Sequence, residues 1–183
     1  MHLNNNFDKL RIRYFNILIF KNGYYRIVNT LCQNQKKRFT SKLCVTCKRC
    51  MIECAARHSQ SQDVILASFE DPAPVPRIYI SFRKDKPHAT YCQNCKNPKC
   101  RESCEYGAIT KFEDGNVIID QEKCTGCWAC IEACPFGAIT KEAEMAVAFN
   151  CDDCKGYDDM ACVEACKTSS LHYVEKKVVV TAG

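Results

Sequence analysis

Sixteen of the seventeen cysteines in this 183-residue chain fall into four quartets, and that spacing limits the folds open to it more than any other feature. The quartets are Cys44, Cys47, Cys50 and Cys54; Cys92, Cys95, Cys100 and Cys104; Cys124, Cys127, Cys130 and Cys134; and Cys151, Cys154, Cys162 and Cys166. In "CTGCWACIEACP" (124 to 135) the first three thiols sit three residues apart, the fourth follows after four, and Pro135 closes the run. Three sulfurs at that spacing converge on one compact centre only if the chain makes a tight loop. Gly126 suits such a loop because it has no Cβ. The fourth cysteine lies a helical turn further on and points elsewhere. Each quartet therefore needs a partner quartet with which to exchange a thiolate. Cys32 stands outside the pattern and is read as a spare thiol.

The third quartet is the C-x2-C-x2-C-x3-C-P run in which three thiolates hold one [4Fe–4S] cube and the fourth serves another. Sixteen thiolates at four per cube make four [4Fe–4S] clusters. Structural zinc sites also use C-x2-C pairs. Zinc does not need the additional thiols, and the x3 step before the last cysteine recurs in all four groups. A disulfide framework needs an oxidising compartment, and no secretory signal is present.

With x4 inside group two and a long interval inside group four, the chain resembles the four-cluster ferredoxin-like electron-transfer subunits over about residues 42 to 175. These serve molybdopterin oxidoreductases such as dimethyl sulfoxide reductase and formate dehydrogenase, as well as formate hydrogenlyase and CO dehydrogenase. The short chain and "HSQSQDVILASFEDPAPVPRIYI" look most like the small CO-dehydrogenase-associated members. The resemblance implies that groups one and four pair and that groups two and three pair, each pair forming a ferredoxin module. It implies four ligand sets: Cys44, Cys47, Cys50 and Cys166; Cys54, Cys151, Cys154 and Cys162; Cys92, Cys95, Cys100 and Cys134; and Cys104, Cys124, Cys127 and Cys130. The expected fold is α+β, with two bacterial-ferredoxin-like modules, one inserted in the other. Module one spans 42–90 and 145–183, module two spans 91–144, and 1–41 is an extension.

The segments between cysteines fit that plan. "AITKFEDGNVIID" (108 to 120) reads as a hairpin around Asp114-Gly115. "AITKEAEMAVAF" (138 to 149) and "LHYVEKKVVV" (171 to 180) read as hairpins with charged turns. "WACIEAC" and "ACVEAC" read as short helices. "YGAITK" at 106 and "FGAITK" at 136 form an internal repeat, each just after a quartet's last cysteine. Modules of about 70 residues are near the limit where an apolar core suffices, so bound metal is expected to supply much of the folding energy.

The formal charge of +5 counts every cysteine as neutral. Each oxidised cube with its four thiolates carries about −2, which brings the loaded protein to about −3 and removes the main argument for nucleic-acid binding. The positive charge is lopsided. Residues 1 to 43 hold nine Lys or Arg and one acid, Asp8. Of those 43 residues, 23 are Asn, Ile, Lys, Phe or Tyr, the residues that AT-rich DNA tends to encode. The favoured expectation is a start assigned too far upstream, with translation beginning near Val28 or Leu31. The rival is a basic docking arm or membrane-surface strip. The apolar run "YFNILIF" is too short to span a bilayer.

Only group three keeps proline after its last cysteine; Ala55, Glu105 and Lys167 take that place elsewhere and are read as solvent-facing loop variation. Trp128 is read as packing against a cluster. His2, His58, His88 and His172 are read as isolated surface residues, and Asp152-Asp153 and Asp158-Asp159 as solvated loops rather than docking sites. The glycines form no G-x-G-x-x-G, and P-loop and HExxH motifs are absent. No C-x3-C-x2-C run exists, because Arg57, Gly107, Gly137 and Ser169 stand where its next cysteine would fall.

The reading is a cytoplasmic electron-transfer subunit, not itself an enzyme. It passes single electrons between a catalytic oxidoreductase (CO dehydrogenase, hydrogenase, formate dehydrogenase or another molybdopterin enzyme) and a second redox protein, with no nucleic-acid partner and no direct membrane span. The alternatives are an iron–sulfur component acting directly on substrate and a zinc-based structural module.

Overall fold

The computed structural model describes residues 17–21, 24–28, 35–142 and 144–175. Of the residues singled out above, His2, Asp8, Leu31 and Cys32 lie outside the described residues. Among the described residues the strands form five two-stranded antiparallel sheets. β1 (Ile17–Lys21) pairs with β2 (Tyr24–Val28), and β3 (Gln35–Phe39) pairs with β10 (Leu171–Glu175). β4 (Ile78–Arg83) pairs with β5 (Lys86–Tyr91), β6 (Ile109–Lys111) with β7 (Val117–Ile119), and β8 (Ile139–Glu142) with β9 (Val147–Asn150). The helices are short: α1 (Arg49–Arg57), α2 (Val64–Ala67), α3 (Lys99–Glu102), α4 (Ala129–Ala133) and α5 (Ala161–Glu164). This is a small α+β fold. No helix among the described residues is long and apolar enough to cross a membrane.

The hairpins at 108–120 and 138–149 form where their sequences place them. The first closes with Gly115 N–H donating to Phe112 O at 2.9 Å and Phe112 N–H donating to Asn116 O at 2.8 Å. Gly115 takes the left-handed conformation that such a turn demands, at φ +86°. The repeat is also visible in the backbone. Gly107 and Gly137 both adopt positive φ, and each is followed by a buried alanine and then by β6 or β8.

Two expectations change. The segment at 171 to 175 pairs with β3, with Leu171 opposite Phe39 and Tyr173 opposite Lys37, and the rest of the hairpin expected there, 176 to 180, lies outside the described residues. Strand β3 lies within the range read as an extension, so residues 35–39 contribute directly to the folded unit. The pairing joins Phe39 to Leu171, segments far apart in the sequence, which local turn chemistry cannot signal. The β4–β5 hairpin, whose turn uses Lys84 and Asp85 at φ +50° and +59°, carries no glycine or asparagine to announce it.

The apolar interior divides in two. One cluster joins Ile78, Ile80, Ala89, Met160, Val163 and Leu171 to Cys50, Cys54, Cys154 and Cys162. The other joins Ile109, Val117, Ile119 and Ala148 to Cys130. Asn150 stitches the halves of the second cluster together: its side-chain oxygen accepts Ile119 N–H at 3.1 Å and its amide donates to Val117 O at 2.5 Å. Ile78 is fully buried, whereas Phe82, four residues along the same strand, is 67% exposed. Ile78→Ala is therefore expected to destabilise the metal-loaded protein by about 2–5 kcal/mol, and Phe82→Ala by less than about 0.5 kcal/mol. Anaerobic denaturant unfolding of both variants checks this.

Candidate metal centres

The four cysteine loops share a backbone device. The residue two after each quartet's first cysteine takes a left-handed conformation: Thr46 at φ 57°, Asn94 at 48°, Gly126 at 69° and Asp153 at 55°. In groups one and three the residue after the second cysteine does the same, Lys48 at φ 58° and Trp128 at 64°, and each then caps a helix. Successive turns of this kind direct backbone N–H groups inward and form a concave site for negative charge. Only Gly126 is a glycine, so only that loop advertised itself. A Cβ at Gly126 would stand 2.3 Å from Ala146 O.

These loops and helices gather the thiols. Cys50, buried at the start of α1, is pushed up to about 11 by burial and by the charges of Cys166, Cys44 and Cys47. Cys100 is pushed up to about 11 by burial and by Cys92, Cys134 and Cys95. Cys130 reaches about 11 through burial and through Cys124, Cys127 and Cys104. Burial, then Asp152 and Cys54, push Cys154 up to about 12. Cys162 is raised far above an ordinary thiol by burial and by Cys151, Cys54 and Cys154. Cys50, Cys100, Cys130 and Cys162 thus each feel the charge of thiols from their own and from one distant quartet.

Two of these gatherings line cavities. One is faced by Cys92, Cys95, Cys100 and Cys134 together with Val117, Ile119 and Ile139. The other is faced by Cys104, Cys124, Cys127 and Cys130. Trp128 lines that second cavity beside the thiols, and Lys141 Nζ lies 4.7 Å from its ring centre.

Backbone donors point at the sulfurs. Thr46 N–H reaches Cys44 Sγ at 3.4 Å, Arg77 reaches Cys54 at 3.3 Å, and Asn94 reaches Cys92 at 3.5 Å. Ala148 N–H reaches Cys124 at 3.4 Å, Ala138 reaches Cys134 at 3.5 Å, and Leu171 reaches Cys166 at 3.3 Å. Convergent thiols in apolar cavities, with N–H donors aimed at sulfur, fit thiolate-bound [4Fe–4S] clusters. Glu105 and Lys167 are exposed, in keeping with loop variation. Ala55 lies inside α1, where proline would delete a helical N–H.

Charged residues around Cys54, Cys151, Cys154 and Cys162 were not legible in the sequence. Asp152 and Asp153 are not solvated: Arg77 meets Asp152 at 2.6 Å, and Lys37 pairs with Asp153 with side chains 1% and 8% exposed. His58 is not an isolated surface residue. Its Nε2 lies 3.2 Å from Asp152 Oδ1 and its Nδ1 2.8 Å from Cys54 O. Burial works against its charge, but the hydrogen bonds to Asp152 and Cys54 prevail and raise its pKa to about 9. Asp159 pairs with Arg57 at 2.8 Å, and Asp158 is exposed. Lys37 is 114 residues from Cys151, whose sulfur it reaches, and no short motif could join them.

Comparison with known proteins points to the same kind of cofactor. The family described as 4Fe-4S dicluster domain matches residues 86–176. Electron transport protein HydN of Escherichia coli is 32% identical over 149 residues, covering 73% of this chain and 83% of that protein. A component of the anaerobic dimethyl sulfoxide reductase of Escherichia coli is 38% identical over 88 residues, 45% of this chain and 42% of that protein. A component of the selenate reductase of Mesobacillus selenatarsenatis is 37% identical over 92 residues, 49% of this chain and 30% of that protein. A match to the larger Escherichia coli protein AegA, 32% identical over 142 residues, spans only 21% of that protein's length.

Gly126→Ala adds a left-handed non-glycine residue, which costs about 1–2 kcal/mol before any clash. The variant is expected to lose bound iron and to unfold earlier, while Gly115→Ala, with open space around its Cβ position, keeps its iron. Iron analysis of the two purified proteins checks this.

Proposed function

The protein belongs to the ferredoxin-like 4Fe-4S electron-transfer proteins, and on that footing we propose that it conducts single electrons through four [4Fe–4S] clusters. The ligand sets proposed are Cys44, Cys47, Cys50 and Cys166; Cys54, Cys151, Cys154 and Cys162; Cys92, Cys95, Cys100 and Cys134; and Cys104, Cys124, Cys127 and Cys130. The observation that supports this reading is that Cys92, Cys95, Cys100 and Cys134 line one cavity and Cys104, Cys124, Cys127 and Cys130 another, each joining three thiols of one quartet to one of a distant quartet. When bound, each cluster supplies a reversible one-electron couple.

The protein's own part is spacing, insulation and docking. Cys50 and Cys54 share α1, and Cys162 lies in α5 just before Cys166, so the first two sets are held by the same two helices. Cys100 lies in α3 just before Cys104, and Cys130 in α4 just before Cys134, which ties the last two sets together. This supports two ferredoxin modules, the second inserted between the halves of the first. The outer sets each include an exposed thiol, Cys47 and Cys127, while Cys54, Cys151, Cys154 and Cys162 are all buried. Electrons are accordingly proposed to enter and leave at the two outer sets, one facing a catalytic oxidoreductase and the other a second redox protein. Relatives named as parts of reductases support a catalytic partner of that kind.

Anaerobically purified protein is expected to contain about sixteen iron and sixteen sulfide per molecule, bleached by dithionite and restored by oxidant. About eight of each would overturn the four-cluster reading, and bound zinc without iron would overturn the function. Affinity capture from native cells is expected to recover a stoichiometric catalytic subunit that survives high salt; only salt-sensitive traces would make the protein a free carrier.

A further inference from the structure

Among the described residues, Lys37 is the buried cation of the interior, with its side chain 1% exposed. Its Nζ donates to Cys151 Sγ at 2.9 Å, pairs with Asp153, and lies 4.9 Å from the centre of the Tyr91 ring. Burying an ammonium is costly unless it is paired and hydrogen-bonded, so this arrangement needs anionic partners around it. Thiolate sulfur held by metal is such a partner, and a neutral thiol is not.

The position of Lys37 matters as much as its charge. Asp153 uses its other oxygen to accept Asn94 Nδ2 at 2.8 Å, and Asn94 N–H donates to Cys92 Sγ. The series Cys151, Lys37, Asp153, Asn94, Cys92 therefore runs directly from the second proposed ligand set to the third. Both ends of the Lys37–Asp153 pair face the Cys151 sulfur, the ammonium at 2.9 Å and the carboxylate Oδ1 at 3.8 Å, so the cation is the nearer charge, and the other carboxylate oxygen is tied to the loop of the third set. Lys37 acts on Cys151, Cys162 and Cys154, whereas Asp153 also acts on Cys92. On the other side of the second set, Arg77 is matched by Asp152, which His58 also faces.

We propose that Lys37 tunes the cluster of Cys54, Cys151, Cys154 and Cys162, its buried ammonium raising that cluster's reduction potential above that of the adjoining cluster of Cys92, Cys95, Cys100 and Cys134. Adding an electron makes a thiolate-bound cluster more negative, and a cation hydrogen-bonded to a ligand sulfur favours that state. The effect is strong because the pair lies in a low-dielectric interior with little solvent screening. The inner pair of clusters is thereby unequal, and an electron crossing the junction rests on the Lys37 side. Lys37 is a positioning and tuning residue, not a ligand. The inference rests on the ligand sets proposed above.

The test is an anaerobic, EPR-monitored potentiometric titration of full-length, cluster-loaded protein. Lys37→Met is expected to lower one midpoint potential and leave three in place, while Lys37→Arg keeps all four close to those of the unaltered protein. If Lys37→Met loses a cluster, Asp153→Asn carries the test: removing the acid next to the same sulfur is expected to raise that midpoint, and an unchanged or lower value overturns the inference. Unchanged midpoints in Lys37→Met with full iron, or equal falls in all four, also overturn it. Iron content of Cys151→Ala separates this failure from failure of the ligand reading. A Cys151→Ala protein that keeps every iron shows that the ligand sets are wrong, whatever Lys37 does.

Discussion

A thiolate does not persist inside a protein without positive charge beside it, and this protein buries many sulfurs. Burial drives Cys151, Cys154 and Cys162 far from the range in which a free thiol ionises near neutral pH. Metal coordination reverses that, because a coordinating thiol is held deprotonated. The architecture follows from this constraint. Helices of four or five residues, such as α3, α4 and α5, are far shorter than an isolated helix needs for stability. Two-stranded sheets are marginal by themselves as well. Such elements persist because their ends are fastened to the loops that carry the sulfurs, and because the apolar clusters around Ile78 and Ile109 incorporate the cysteines themselves.

What could be read in advance and what could not divide along one line, the distance over which a residue acts. The cysteine spacing, the Asp114–Gly115 turn and the repeat at 106 and 136 are local signals, and the hairpins they announce form there. The loop geometry around Gly126 was legible because glycine is the residue that usually takes that conformation. Asn94 and Asp153 belong to the residue types that take it next most readily, whereas Thr46 does not announce it and is held there by its loop. The pairing of β3 with β10 was not legible, since a strand of sequence QKKRF looks like a charged tail until Leu171 and its neighbours supply an edge.

The polar junction was the least legible part. Lys37 comes from the stretch read as an extension, just beyond the start expected near Val28 or Leu31, and Asp152-Asp153 from a stretch that looked like an ordinary acidic loop. Their meaning depends on being brought together with Arg77, His58 and Asn94, each from a different segment. A buried lysine is recognised by what surrounds it, and sequence gives no sign of those surroundings. The trade is familiar in redox proteins: groups that set potential lie in the second layer around the metal and contact it through sulfur. Here that layer also ties distant segments together: Lys37 and Asp153 meet Cys151 on one side and Asn94 on the other, and Asn94 in turn accepts Val117 N–H.

Removing the metal tests the central claim, that sulfur-held iron organises the fold, most directly. Anaerobic iron chelation followed by hydrogen exchange is expected to abolish amide protection in α1, α5, β4 and the β8–β9 hairpin together, leaving a chain without a cooperative melt. An iron-free protein that keeps those protected amides and unfolds in one cooperative transition would contradict the account.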